Sequence, residues 1–271
     1  VESTVQVFWT PKKGNTPDEY EDAYGCAVEE GRFAIADGAT ESSFAEIWST
    51  ILTQKFVATP PVGEPPESQV LQDWVNPLQR EWHANIMWDR LPWFAEEKAR
   101  KGAFATFLGI EFLDEDEDDE GVMDKLLFMF KKQKTAGPRW RALTIGDSNL
   151  YQIRDDELIT SWPLTKGIQF THRPTLISSN PKCNDGIWDH FQFHVGEYEE
   201  GDTFILATDA IAKWFLDRVE LGEKPWHTLG QLKSEQDFET LVSELRSGLK
   251  MQNDDTTIIS IAWEESSDDD D

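Results

Sequence analysis

Apolar residues in this chain fall mostly into short β-rich runs, interrupted by a few stretches with the helical period. VQVFWT and GRFAIAD are β-rich runs of the first kind. In residues 42–57, SSFAEIWSTILTQKFV, the side chains Phe44, Ile47, Trp48, Ile51, Leu52 and Phe56 share one helical face behind a serine cap. The four prolines of TPPVGEPPES enforce an extended connection. Residues 69–101 then read as helical, with breaks expected at Pro77 and Pro92. Within them Trp74, Leu78, Trp82 and Ile86 recur at every fourth position, the spacing of a core stripe.

The period changes again at Gly102. GAFATFLGIEFL is strand-like, DEDEDDEG is a solvated acidic loop, and KLLFMFKKQK fits a strand or a short amphipathic helix. RWRALTIGDSNLYQIRDDELITSWPL reads as strand, Gly-Asp turn, strand, Asp-Asp turn and strand, an antiparallel meander. EYEEGDTFILATDAIAKWFLDRV is a turn, an apolar strand ending in Asp, and a helix starting near Ala210. DFETLVSELRSGLK is a late helix, and NDDTTIISIAWEE a last strand. The layer rule combines these into an α+β fold, a four-layer αββα sandwich of two antiparallel sheets flanked by helices. Residues 1–264 are expected to form one domain, and residues 265–271, an acidic tail with nothing to bury, to be disordered.

Acidic residues outnumber basic ones 52 to 25, for a formal charge of −27. Such a surface repels nucleic acid and anionic membranes, so neither is an expected partner. Cys26 and Cys183 have neither the spacing of a zinc site nor that of a disulfide scaffold, and both are expected reduced. No apolar run reaches the ~20 residues of a membrane span, and VESTVQVFW has no basic region followed by an apolar one. A cytoplasmic monomer is expected.

Charge matters most at four places where an acid closes a strand or a turn: Asp37 in IADG, Asp147 in IGDS, Asp209 in LATDA and Asp254 in QNDDTT. A fifth, EYEDAYG, carries Glu21 and Asp22 just before an apolar step. Carboxylates that converge at one sheet edge repel one another unless a cation sits among them. Oxygen-only ligands select a hard ion, Mg²⁺ or Mn²⁺, over zinc.

In their order and contexts, EDAYG, ADGATE, TIGDSNLYQIRDDEL, EEGDTFILATDAI and NDDTTIISI make the chain resemble the metal-dependent serine/threonine protein phosphatases of type 2C (PPM), in a divergent bacterial-like form, over nearly its whole length. The resemblance implies hydrolysis of phosphoserine and phosphothreonine in phosphoproteins by attack of a metal-bound water. It implies that Asp37 bridges two Mg²⁺ or Mn²⁺ ions, that the Gly38 carbonyl binds one of them, and that Asp209 and Asp254 hold the other. Asp22 and Glu21 would act largely through water on the metal, and Asp147, with Asp209, would hold a third ion. Two such ions supply hydroxide near neutral pH and stabilise the charge on a phosphoryl group during in-line attack. Because the surface is so acidic, local positive potential is expected from the ions alone, and basic residues beside the phosphosite should favour a substrate.

The chain departs from the family's pattern where a phosphate-clamping Arg would stand, at Pro17, with Lys12, Lys13 or Arg32 as substitutes. Ala39, Thr40 and Glu41 replace small glycines after Gly38, and Ala210 replaces a glycine, which restricts the backbone there. His172, His190 and His194 are the histidines able to approach the site, and the insertion over residues 114–138 has no assigned role. Two other readings compete with the phosphatase. One is a catalytically impaired pseudophosphatase acting as a binding or regulatory module. The other is a calcium or metal-sensing scaffold, which the lack of an EF-hand spacing disfavours.

Overall fold

The structure, a computed structural model, describes residues 2–113, 137–171 and 173–264. The expected acidic loop, the KLLFMFKKQK segment, His172 and the acidic tail lie outside the described residues.

Strand β1 (Glu2–Thr10) pairs with the last strand, β12 (Thr256–Glu264). With β11 (Thr203–Ala207), β7 (Asn149–Arg154) and β8 (Glu157–Trp162) they form one antiparallel sheet, in the order β1-β12-β11-β7-β8. The second sheet has the order β10-β6-β5-β3-β2. Its strands are β2 (Ala23–Ala27), β3 (Arg32–Ala36), β5 (Phe107–Leu113), β6 (Arg139–Ile145) and β10 (Gln192–Glu197). A short pair, β4 (Phe104–Ala105) with β9 (Ile177–Ser178), stands beside it. Helices α1 (Ala45–Ala58) and α2 (Ser68–Asn85) cover the second sheet, and α4 (Asp209–Glu220) and α6 (Glu235–Ser247) cover the first. Two small helices, α3 (Trp93–Ala99) and α5 (Pro225–Leu229), complete the set. This is the expected four-layer sandwich.

The inner strands of each sheet are covered on both faces, which explains why they read as nearly continuous apolar runs. In β3, Phe33 and Ile35 enter the core between the sheets while Ala34 and Ala36 face α1. In β11, Phe204 and Leu206 point inward and Ile205 and Ala207 face α4. The stripe on α2 is core, as its spacing predicts, with Trp74, Leu78, Trp82 and Ile86 all buried.

Three local expectations are corrected. Helix α1 starts at Ala45 behind Phe44, in the left-handed conformation at φ 62°, and no side chain caps it. Ser42 instead donates to the Ala39 carbonyl and accepts from the Phe104 amide. Helix α2 runs straight through Pro77, because Leu71, Trp74 and Val75 before it and Leu78 and Trp82 after it are all buried, which offsets the ~3 kcal/mol of an internal proline. The Gly-Asp turn closes no hairpin. Strand β6 lies in one sheet and β7 in the other, so residues 146–148 cross between the layers. Gly146, at φ 104°, takes the conformation that this crossing needs, and any Cβ there would lie 2.6 Å from Thr106. The Asp155-Asp156 turn does close a hairpin between β7 and β8, with both residues at positive φ.

Candidate metal centre

Strand polarity brings the five aspartates to one end of the sandwich. Asp22 precedes β2 and Asp37 follows β3, and the register pairs Ala23 with Ala36, so the two acids are neighbours. Asp147 follows β6 in the same sheet. Asp209 follows β11 and Asp254 precedes β12, whose pairing of Ala207 with Ile258 sets them side by side in the other sheet. Asp37, Gly38, Asp209 and Asp254 line a pocket of about 560 Å³, while Asp22 and Asp147 are buried.

Hydroxyls stitch the two sheets together at this end. Thr257 on β12 donates to Asp22 Oδ2 at 2.7 Å, and its oxygen also lies against the Tyr20 hydroxyl. Thr106 and Ser148 share a 2.9 Å hydrogen bond, and Thr106 holds Asp37 by its backbone on both sides, 2.9 Å to the carbonyl and 3.2 Å from the amide. Gly38 is required by close approach, since a Cβ there would lie 2.5 Å from the Glu21 carbonyl oxygen and 2.9 Å from Ala45 Cβ. Buried Asp255 accepts from the amides of Lys12 and Glu21 at 2.8 and 2.7 Å, which ties the loop before β2 to the loop before β12. Arg246 on α6 donates to the carbonyls of Pro11 and Asp254 and so fixes the far side of the same loop.

The electrostatics of the cluster are unfavourable as it stands. Burial, and then the charges of Asp22, Asp209, Asp254 and Asp147, push the Asp37 carboxyl far above its ordinary range. Asp22 is also raised well above it, by burial first, against the Thr257 hydrogen bond. Burial and Asp209 lift Asp147 to about 7. Burial and Asp254 lift Asp209 to about 6, even though Asp209 opens α4 and accepts from the Ala210 amide. Asp254 is raised too, chiefly by burial. Oδ1 of Asp22, Asp147 and Asp209 is buried with no hydrogen-bond partner among the described residues.

Acceptor-only oxygens, stranded and repelling one another around a pocket, fit a hard divalent cation. Among the described residues no three acidic, histidine or cysteine side chains already close on one point. Mg²⁺ in general keeps several waters and takes only one or two carboxylates from a protein. The carbonyl of Gly38 and water would supply the remaining oxygens.

Of the other residues named from the sequence, some flank this centre and others lie away from it. The Glu21 side chain pairs with Lys12 Nζ at 3.1 Å, and Lys12 also donates to Thr40. Burial lowers the Lys12 pKa, but Glu21, Asp255 and Asp254 outweigh it and hold the ammonium above its ordinary value. Lys13 is exposed, and its backbone pairs with Asn253. Arg32 is at the opposite end of β3 from Asp37, on Glu111 at 2.8 Å, and cannot serve the site. Pro17 opens an exposed 3-10 turn. Ala210 lies inside the first turn of α4, where alanine is favoured and no positive φ is needed, so the restriction expected there does not arise. His194 packs against Trp140 and Trp162, and His190 ends a 3-10 turn; neither lines the pocket. Both cysteines are free thiols.

The pocket is also lined by cations that sequence reasoning missed. Lys98, Lys101 and Arg173 line it together with the acids, so positive potential need not come from metal ions alone. Lys98 and Lys101 stand at the end of α3, and Arg173 comes from the loop before β9. Nothing in their local sequence marks them, because their role depends on which loops meet.

The sequence matches no family model and no curated protein. In fold, however, nearly the whole chain is similar to solved phosphatases. The catalytic domain of the serine/threonine protein phosphatase PstP, in complex with two manganese ions, aligns over 97% of this chain and 99% of its own, with a TM-score of 0.59 and 14% identity. The Mycobacterium tuberculosis serine/threonine phosphatase PstP/Ppp aligns over 98% and 100%, at a TM-score of 0.59 and 15% identity. The photosystem II phosphatase PBCP aligns over 96% and 98%, at a TM-score of 0.54 and 14% identity. The chain thus has the fold of the PPM serine/threonine phosphatases. No helix among the described residues is long and apolar enough to cross a membrane.

Proposed function

We propose that this protein is a Mg²⁺- or Mn²⁺-dependent phosphatase acting on phosphoserine or phosphothreonine in proteins. The observation that carries the reading is the set of aspartates that both sheets bring to one end of the sandwich: Asp37, Asp209 and Asp254 line the pocket, and Asp22, Asp147 and Asp209 each have a stranded buried oxygen. A binding module has no physical need for so costly a cluster, which weighs against the pseudophosphatase.

Asp37, with the Gly38 carbonyl, and Asp209 with Asp254 would hold the two ions. Asp22 and Glu21 would bind their waters, and Asp147 would join Asp209 at a third. Bound there, the ions would supply a water ionised near neutral pH and neutralise charge on the phosphoryl group. The chain's own residues do the rest. Thr106 and Gly38 fix the direction of Asp37, and Thr257 holds Asp22 toward the cleft. Lys98, Lys101 and Arg173 are placed to bind the phosphate in the absence of an arginine at position 17. Basic residues beside the phosphosite would be favoured on the flank facing the exposed Glu41.

The test is hydrolysis of a small aryl phosphate and of a phosphothreonine peptide with Mn²⁺, Mg²⁺ or chelator. Metal-dependent turnover that Asp37→Asn and Asp209→Asn each reduce by at least about a thousandfold is expected, as for removal of a main charge-stabilising group. Mn²⁺ binding without turnover would favour the pseudophosphatase.

A further inference from the structure

A second cavity, of about 750 Å³, lies directly beside the acidic pocket, and Gly102 belongs to the walls of both. Arg80 and His83 of α2, Trp88 from the turn after it, Arg100, Asn180 and Lys182 line it. No Asp or Glu among the described residues does, in a chain that has 52 of them. Arg80 and Lys182 are exposed and have no acidic partner among the described residues. Arg100 is held by Glu96 and lies 5.4 Å over the Trp88 ring, which also meets the His83 ring at 4.7 Å and the Trp82 ring at 6.3 Å. One wall is therefore an aromatic plate with Arg100 fixed over it.

The floor between the two cavities is also fixed. Asn180 donates to the carbonyls of Arg100 and Lys101, and a Cβ on Gly102, at φ 93°, would collide with Asn180. Arg100 lines the second cavity and Lys101 the acidic pocket, although they are one residue apart, about 3.8 Å between Cα atoms. An extended polypeptide with its phosphorylated residue in the acidic pocket covers about 7 to 13 Å in the next two to four residues. Because the two cavities share the wall at Gly102, a segment of that reach can extend from one to the other.

We propose that the Arg80–Arg100–Lys182 cavity is a docking site for an acidic segment of the phosphoprotein substrate, two to four residues from the phosphorylated side chain. The inference rests on the phosphatase reading of the neighbouring pocket and adds a specificity determinant to it. On the general charge of −27 such a segment would be repelled, whereas this cavity is lined by Arg80, Arg100 and Lys182 and by no Asp or Glu among the described residues. Carboxylates or a second phosphate supply the same chemistry, an anion taken up by guanidinium and ammonium groups.

The experiment compares phosphothreonine peptides that differ only in two to four neutral, acidic or phosphorylated residues on either flank. Binding is read by fluorescence anisotropy in chelator, and kcat/KM with Mn²⁺. An acidic segment on one flank should bind about five- to tenfold more tightly than a neutral one, with the gain falling as salt rises. The Arg80→Ala/Lys182→Ala double variant, both positions exposed, should lose that gain and leave aryl phosphate hydrolysis unchanged. Equal binding of acidic and neutral peptides, or a gain that survives the double variant, would overturn the proposal. A wild-type protein that hydrolyses no aryl phosphate yet keeps the acidic preference in binding would sink the catalytic reading and leave the docking site standing. A phosphorylated flank that outperforms carboxylates of equal charge would identify the second phosphate as the source of the anion.

Discussion

Replacing Asp147 by asparagine should stabilise the metal-free protein. Its carboxyl is displaced from 3.8 to about 7 by burial and by Asp209, and its Oδ1 has no partner. At about 1.4 kcal/mol per pKa unit, three units correspond to about 4 kcal/mol that ionised Asp147 takes from the folded state. A group with a raised folded pKa helps the fold below its unfolded pKa and loses that help as pH rises through the folded value. The stabilisation by Asp147→Asn is therefore nearly complete at pH 8. It falls to less than half by pH 5 and vanishes below about pH 4. Coupling to the other acids, and an amide proton left without an acceptor, reduce the gain at pH 8 to roughly 2 to 4 kcal/mol. For a chain of 271 residues that is about 4 to 7 °C in Tm. The assay is thermal unfolding of both proteins in chelator at pH 5, 6.5 and 8. A gain as large at pH 5 as at pH 8, or a loss at every pH, would refute the argument. Saturating Mn²⁺ should shrink the gain, because the ion removes the repulsion that the substitution relieves.

Thr257→Val removes the hydroxyl that joins Asp22 to Tyr20 across the two sheets. It should cost about 1.5 to 3 kcal/mol in urea unfolding, and a loss under about 0.5 would show that the bridge is incidental. Gly38→Ala forces a methyl group against the Glu21 carbonyl and Ala45, so it should destabilise by about 1 to 3 kcal/mol and also abolish the rise in Tm with Mn²⁺. A variant that keeps that rise would mean that the carbonyl of residue 38 has no part in binding the ion.

How much of this the sequence discloses depends on the range of the interaction. The layered architecture was legible because the β-rich runs and helical stretches follow one another in an order that the layer rule resolves, and the runs that are apolar at every position, FAIA and FILA, are indeed covered on both faces. The aspartates were legible because each ends a strand, where a side chain is set by local polarity. Local rules failed where a distant partner decides. Pro77 stays helical because buried residues on both sides of it hold α2 in place, and Ser42 leaves its capping role for Phe104, 62 residues away. The crossing at Gly146 looks like a hairpin until the sheet of each strand is known. Lys98, Lys101 and Arg173 had no signature at all, since three surface cations become a group only after α3 and the loop before β9 meet.

The pairing of β1 with β12, Glu2 opposite Glu264 to Thr10 opposite Thr256, bears on the order in which the protein matures. Asp254 and Thr257 are delivered with β12, so a chain synthesised only as far as β11 carries most of its carboxylates without a cavity to gather them. Closing a loop of some 250 residues comes late and slowly, because its entropy must be overcome before the contacts it makes are gained. A nascent chain should accordingly show little avidity for divalent ions, and the capacity to bind them should arise in a single step when the last strand slots between β1 and β11.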